Sequence, residues 1–589
     1  MSNARPKTDV VIVGLGWAGS VMAEELTRAG LNVVAIERGA WRDTSTDFPP
    51  AVDPDELRWT TRRELLQPMS VETTTFRNRV DQQAAPVRSW SAFQFGWNVG
   101  GAGAHWAGMS WRFTPWDFEV ATRTRERYGA AKLKDLQVQD WGVTYDEMEP
   151  YYDRFERIAG TSGTAGNIQG QKHPGGNVFE GPRKREYPTP ALKDTHWMRT
   201  FREATDKLGY HPFTIPAGNI SQAFVNPLGV TMGPCTYCGF CDFHGCGNFS
   251  KSSPQACILP ALMRRPNFTL LTDSEVLHAV KHEDGKTLTG VKFITKEGVE
   301  GFQPADIVCF TAYQMDNVRL MLLSRVGEQY DPHTGRGTIG RNYNYQTCSS
   351  VTGFFDDHTM NPFIGGGALG VQIDDFNGDN FDHSGLDFIG GAGIMGYSTN
   401  GRPIQNANTV RPGTKRWGSE WKKAYARDYQ QAAGIFCQGT SMPVRGAYLD
   451  LDPNYKDRHG QPLLRLTFDW NRNDTRMLHY TTQRAIEIMK AAGGRDIMVD
   501  NQTESSWNPY MQHSSHTIGG AVMGANPQTS ALNPFLQSWD AHNLFVVGAS
   551  AFPNNGGYNP TVTVGALAIR AARAIHEQYV KNPGPLVRG

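Results

Sequence analysis

The amino-acid sequence predicts an α/β chain, α+β overall: a discontinuous nucleotide-binding domain of Rossmann-like type, and a second domain on a mostly antiparallel sheet. Three observations lead there. Residues 9–13 (DVVIV) form a short apolar run that meets G-L-G-W-A-G at once. Residues 543–570 (NLFVVGASAFPNNGGYNPTVTVGALAIR) give strand, glycine turn and small-residue helix start at the far end. Between them, CTYCGFCDFHGC at 235–246 holds four of the chain's eight cysteines.

The first element reads as a buried parallel strand, because DVVIV is apolar on both faces. The glycines that follow are Gly14, Gly16 and Gly19. Gly14 permits a tight turn, Gly16 lets the backbone approach a pyrophosphate, and Gly19 lets helix and strand pack closely. The helix is expected over 20–28, stopped by Gly30, and a second strand (LNVVAIE) ends at Glu37. A helix N-terminus stabilises phosphate charge, and an acid at the end of the second strand is placed for the ribose hydroxyls. Strand, turn, helix, strand and acid in this order predict a dinucleotide site, without choosing between NAD and FAD.

Composition narrows the function. The 58 basic and 58 acidic residues balance and form no like-charged block, so nothing points to nucleic acid or a strongly anionic partner. No stretch approaches the roughly 18 apolar residues of a membrane span. MSNARPKTDVVIVGLG runs straight into a strand, so no signal peptide is expected and export would depend on another chain.

Four further segments carry a resemblance. NVGGAGAHWAG (98–108), HSSHTIGGAVMG (513–524), YDEMEPYYDRFERIAG (145–160) and ADIVCFTAYQMDNVRLMLLS (305–324), together with 543–570, resemble the glucose–methanol–choline (GMC) flavoprotein oxidoreductases. The resemblance implies FAD, a cofactor domain assembled from discontinuous pieces, and a catalytic pair. Its histidine motif, H-x-x-G-[GT]-x-x-M-G, matches His516–Gly524, and its second position, His or Asn, matches Asn559 in YNPTVT. Alcohol oxidation removes a proton from oxygen and a hydride from carbon. A near-neutral histidine suits the proton, and an amide holds the oxygen without competing for it. His513 does not match the motif and reads as a local hydrogen-bonding residue. Gly100, Gly101 and Gly103 let a loop pass close to the isoalloxazine, and Gly548 lies in the C-terminal glycine turn. His105–Trp106 resembles the T-H-W segment in which histidine is bonded to the flavin 8α-methyl; a histidine only packed on the ring is the alternative.

The cysteines are spaced C-x2-C-x2-C-x4-C at Cys235, Cys238, Cys241 and Cys246. Zinc sites pair two such units across a longer loop. Disulfides would be strained in so short a segment. Iron–sulfur clusters accept several thiolates from one tight loop, although the x4 gap and Gly247 depart from the bacterial C-x2-C-x2-C-x3-C-P run. A cluster is the reading, with zinc and free thiols as alternatives. Within the resembled family, a cluster marks the membrane-associated sugar and sugar-acid dehydrogenases, among which the nearest likeness is to those acting on gluconate. That likeness implies a 3Fe–4S group on three cysteines, best spaced at Cys235, Cys241 and Cys246, while four thiols also permit 4Fe–4S. It further implies a small subunit with a twin-arginine signal, a multihaem cytochrome c subunit, and a place on the periplasmic face of the bacterial inner membrane. Another sugar or polyol (glucose, fructose, sorbitol, 2-ketogluconate) is the alternative substrate, and an oxidase with a structural metal loop the alternative enzyme.

The expected organisation is an FAD-binding domain from 1–45, 90–120, 255–345 and 505–589, a cluster segment at 225–256, and a substrate domain at 346–504. IDDFNGDNFDHSG (373–385) lacks the glycine and terminal Glu positions of a calcium loop and reads as a polar turn. Residues 160–182, glycine-rich and poor in apolar groups, read as a long surface loop.

Overall fold

The computed structural model describes residues 4–48, 55–57, 65–68, 70–71, 74–88, 93–398, 401–511 and 514–588. The fold is of mixed α/β type. His513 lies outside the described residues.

Strand Thr8–Val13 is almost wholly buried, as its unbroken apolar run requires, and sits at the centre of the first sheet. It pairs in parallel with Val33–Ile36 on one side and with Glu300–Phe310 on the other. Phe268–Leu271 extends the sheet beyond Val33–Ile36, and Leu544–Val546 pairs with Glu300–Phe310. The five parallel strands therefore lie in the chain order 3-2-1-4-5, with a reversal of direction around the first strand that opens a crevice at the carboxyl ends. Glu300–Phe310 changes partner along its length. Its first half is antiparallel to Leu288–Thr295, which pairs in turn with Ser274–Lys281.

The first helix is Trp17–Arg28, three residues longer at its start than expected, because Gly16 itself is the N-cap. Its first N–H groups thus stand directly after the turn. Gly14 makes that turn at φ +88°, and a Cβ on Gly19 would lie 2.1 Å from the Gly14 carbonyl oxygen. A side chain on Gly19 forces helix and strand apart, and one on Gly14 would collide with the Ala312 backbone at 2.9 Å. Helix Thr561–Ala574 packs against both Trp17–Arg28 and Tyr145–Ala159. The last of these starts at a capping box, with Thr144 N–H donating to Glu147 at 2.7 Å, and ends at Gly160.

The second sheet has six strands, all in antiparallel pairs: Arg495–Asn501, Cys348–Phe354, Ala432–Gly439, Ala392–Tyr397, Gly370–Ile373 and Phe213–Thr214. Helices Arg472–Ala491 and His196–Lys207 pack on it and seal a second apolar core. The edge strand Phe213–Thr214 comes from far outside 346–504.

Residues 160–182 are only in part the surface loop expected from their composition: 169–172 and 174–175 are exposed, but the stretches on either side are not. Ser162, Gly163, Ala165, Gly166 and Asn167 are buried. Their polar backbone is satisfied instead by the Glu180 carboxylate, which accepts from Gly166 N at 2.6 Å, and by short pairing with Thr189–Pro190. At 373–385 the polar turn is as read. Asp374 is fully buried and accepts from Gln372, Asn377, Asn177 and Tyr558, which leaves no open cation cage.

Candidate functional site

A cavity of about 560 Å³ opens at the carboxyl ends of the parallel strands and runs under the second sheet. One end is walled by the nucleotide-type turn and the first helix, the other by Met395, Tyr397, Phe436 and Gln438 of the antiparallel sheet. Gly14, Gly16, Glu37, Gly101, Gly103 and Gly548 line it, as do His105, Trp106, His516 and Asn559. Gly19 and Gly100 stand behind the wall, the second bonding through its N–H to Leu15 O at 2.9 Å. A side chain on Gly16 would project into free space between the turn and Gly100–Gly101, so the glycine leaves the crevice open there.

Glu37 is buried, and its carboxylate receives Leu15 N and Gly39 N, one on each oxygen, both at 2.9 Å. Burial raises its pKa while these two N–H groups oppose the shift. Each oxygen keeps a lone pair for a diol. Arg38 and Arg319, the cations among the described lining residues, are already paired with Asp316 at 3.0 Å and Asp457 at 2.5 Å.

His516 and Asn559 come from segments 43 residues apart and meet at 3.1 Å, His516 Nε2 to Asn559 Nδ2. Burial holds the His516 pKa down to about 4, below the near-neutral value expected from its residue type, so the ring is neutral at pH 7 with its lone pair free for a proton. His516 Nδ1 is 2.5 Å from Gln346 Oε1 and 3.5 Å from Gln438 Nε2. Sequence reasoning passed over both glutamines. Neither sits in a motif, and their place follows only from folding 346 and 438 against 516.

His105 is buried, and its Nε2 has no hydrogen-bond partner. Burial, helped by the Lys251 charge, lowers its pKa to about 3. An unpaired, uncharged ring nitrogen in a cofactor-sized cavity is a nucleophile or an acceptor awaiting a ligand. Trp106 beside it donates to Ser252 O at 2.6 Å and meets Trp17 edge to face at 5.5 Å.

The cysteine loop forms part of this wall. Phe243 N donates to His105 O at 2.9 Å, and Asp242 lines the cavity. Lys251 is fully buried, and its Nζ donates to Trp106 O, Cys241 O and His244 O at 2.6–2.7 Å, and to Ala104 O at 3.4 Å. One ammonium thereby ties the loop to the His105–Trp106 segment. Around the thiols, Asn219 Nδ2 reaches Cys241 Sγ at 3.5 Å and Cys235 Sγ at 4.0 Å. Tyr237 N reaches Cys235 Sγ and Lys251 N reaches Cys246 Sγ, both at 3.5 Å, and the Phe240 backbone serves Cys238. Burial raises the Cys241 pKa to about 11 against the pull of Lys251. N–H donors on every sulfur favour thiolate ligands to an added positive centre. Among the described residues no group of three or more His, Cys, Asp or Glu side chains is arranged to hold a metal ion.

Replacing Lys251 by methionine strands these carbonyls in a dry interior. We expect a loss of about 3 kcal/mol or more, since bonds to a charged donor contribute roughly 1.5–3 kcal/mol each. Thermal melting should fall, and hydrogen exchange should rise in 235–246 and 104–106 together. Unchanged melting would remove the ammonium from this role.

Comparison with known proteins bears on the same site. Residues 443–568 match the C-terminal family model described as GMC oxidoreductase. Over 596 residues the chain is 44% identical to the gluconate 2-dehydrogenase flavoprotein of Pantoea cypripedii, with 100% of this chain and 96% of that protein covered. It is 25% identical over 606 residues to the fructose dehydrogenase large subunit of Gluconobacter japonicus, covering 98% and 99%. The structure of formate oxidase from Aspergillus oryzae RIB40 superposes with a TM-score of 0.63 at 14% identity over 98% of this chain and 99% of that one, a likeness of fold.

Proposed function

The chain belongs to the GMC oxidoreductases and is an FAD-dependent alcohol or sugar-acid dehydrogenase; on that premise we propose that it is the catalytic subunit of a gluconate-oxidising complex. The observation that carries the proposal is the His516–Asn559 pair, 3.1 Å apart and facing the glycine-walled cavity. In this reading His516 Nε2 takes the hydroxyl proton while Asn559 holds the same oxygen, and the C–H bond breaks with its electron pair to leave a C=O. FAD, when bound, supplies the acceptor for that hydride. Gly14, Gly16 and the start of Trp17–Arg28 would hold its pyrophosphate, Glu37 its ribose, and Gly101, Gly103, Trp106 and Gly548 would bound its ring. The unpaired Nε2 of His105 fits a bond to the flavin. Gluconate is proposed because the gluconate 2-dehydrogenase flavoprotein is the relative matched at 44%.

The loop Cys235–Cys246 is proposed to hold an iron–sulfur cluster, of the 3Fe–4S type that the family resemblance implies, with 4Fe–4S the alternative that four thiols permit. Such a group supplies one-electron steps between a two-electron flavin and a haem. The partners would then be a small subunit with a twin-arginine signal and a multihaem cytochrome c, which would place the chain on the periplasmic face of the inner membrane. Among the described residues no helix is long and apolar enough to cross a membrane. The proposed division is an FAD-binding domain at 1–45, 90–120, 255–345 and 505–589, a cluster segment at 225–256 and a substrate domain at 346–504. The first sheet and the cavity support its first part.

Anaerobic addition of gluconate to the purified holoenzyme should bleach the flavin absorbance. Bleaching by fructose or glucose with none by gluconate would overturn the substrate and leave the chemistry. The flavin bond has its own test. Acid precipitation should carry the flavin down with the protein, and His105→Ala should leave it in the supernatant. Flavin free in the wild-type supernatant rules the bond out.

A further inference from the structure

We propose that Gln346 is a positioning residue that fixes His516 in the Nδ1–H tautomer and aligns it with Asn559, so that Nε2 is the atom left to accept the substrate proton. This rests on the role proposed for His516 and goes beyond it.

The side-chain amide of Gln346 is fully buried and admits one orientation. Its NH2 group donates to Gly556 O at 2.8 Å and to Tyr558 O at 3.1 Å. Two carbonyls cannot face an amide oxygen, so Oε1 must point the other way. There it accepts from Gln438 Nε2 at 2.8 Å and meets His516 Nδ1 at 2.5 Å. An acceptor with no hydrogen of its own requires the hydrogen to be on Nδ1. Backbone bonds strengthen the link: Gln346 N donates to His516 O at 3.1 Å, and Gln502 Nε2 donates to Gln346 O at 3.0 Å. One side chain therefore holds His516 and the two carbonyls of the segment that ends at Asn559. The general-base proton transfer is thus set by a residue that does not line the cavity.

The electrostatic setting keeps a change at this position readable. The side chains around the His516 ring nitrogens are uncharged: Gln346 at Nδ1, Asn559 at Nε2, and Gln438, whose Nε2 gives its hydrogen to Gln346 Oε1. Tyr313, Cys348 and Tyr558, on elements packed around it, are pushed up by burial and stay protonated. Asp374, bonded to Tyr558 OH, and Asp117, beside Gly556, are raised by burial to about 6 and about 7. Their contribution is common to wild type and variants, so differences between pH profiles report on His516.

The test measures kcat, KM and the pH profile of kcat/KM with gluconate and a small artificial acceptor, on holoenzymes of matched flavin content. Gln346→Met removes the acceptor, and kcat should fall about tenfold or more with KM within about twofold. Gln346→Glu keeps an acceptor at Oε1 and gives up the two bonds to Gly556 O and Tyr558 O; above the new carboxyl's own titration it adds negative charge beside Nδ1. The charged imidazolium is then favoured, and the acid limb should move up by about one pH unit or more. A role in packing alone would lower the melting temperature and leave that limb where it is. Wild-type kcat in Gln346→Met, or an unmoved acid limb in Gln346→Glu, overturns the proposal. If Gln346→Met does not fold, the Gln346→Glu profile decides alone. His516→Ala run in parallel separates the two claims: full activity there sinks the base assignment itself, whereas an inactive His516→Ala beside a wild-type Gln346→Met sinks only this inference.

Discussion

His516→Ala should lower turnover by about 10²-fold or more while flavin content and visible absorbance stay at wild-type levels, because general-base catalysis contributes roughly 10²–10⁴. The ring is half-buried at the cavity wall, neutral and bonded on both nitrogens, so alanine removes the proton acceptor and leaves the glycine walls untouched. In the wild type the acid limb of kcat/KM should lie well below neutrality, as a histidine pKa near 4 requires. The sign is definite. Desolvation disfavours the charged form, so base remains available until the pH falls toward 4. A loss smaller than tenfold would falsify the assignment of His516 as base.

Cys241→Ser should separate two activities. Substrate should still bleach the flavin, and small artificial acceptors should still be reduced, whereas reduction of the cytochrome partner should collapse. The contrast follows from the loop's place beside the cavity. Cys241 O is held by the Lys251 ammonium that also holds Trp106 O, at 2.6 Å in each case, so this thiol stands against the wall of the cavity. Low-temperature EPR of the air-free protein gives an independent reading, with a cluster signal in the wild type and none in the variant. Cytochrome reduction at the wild-type rate in a variant without the signal would make the cysteines structural.

What the sequence disclosed and what it concealed divide by distance along the chain. The turn Gly14–Gly19 is local: a β-branched run, three glycines and a helix lie within about twenty residues, and their steric demands are written in order. His516, too, sits in a compact pattern, and Asn559 in another, and the structure brings both to one cavity. Gln346 and Lys251 had no such signal. Gln346 matters because 346, 438, 516 and 556–558 converge, and Lys251 because one amine reaches carbonyls from 104, 106, 241 and 244. Composition misled over part of 160–182, where the flanks of an exposed tip around 169–175 are buried despite few apolar side chains, since Glu180 supplied the hydrogen bonds that water would otherwise make. The start of the first helix was missed by three residues for a local reason, namely that a glycine N-cap carries no side-chain signature.

The strand Leu544–Val546 has a bearing on how the protein is made. It is the fifth of the parallel strands and rests on Glu300–Phe310, and the segment after it supplies Gly548, Asn559 and the helix that packs on Trp17–Arg28. The turn at Gly14 leaves the ribosome well before the rest of the crevice, which is not closed until Gly548, Asn559 and the start of Thr561–Ala574 have followed. Binding of the nucleotide must therefore wait for the finished polypeptide, and the nascent N-terminal half has to be kept from aggregating with an open sheet edge meanwhile. A chain cut after residue 540 would keep the glycine turn, Glu37 and every cysteine and still retain no flavin.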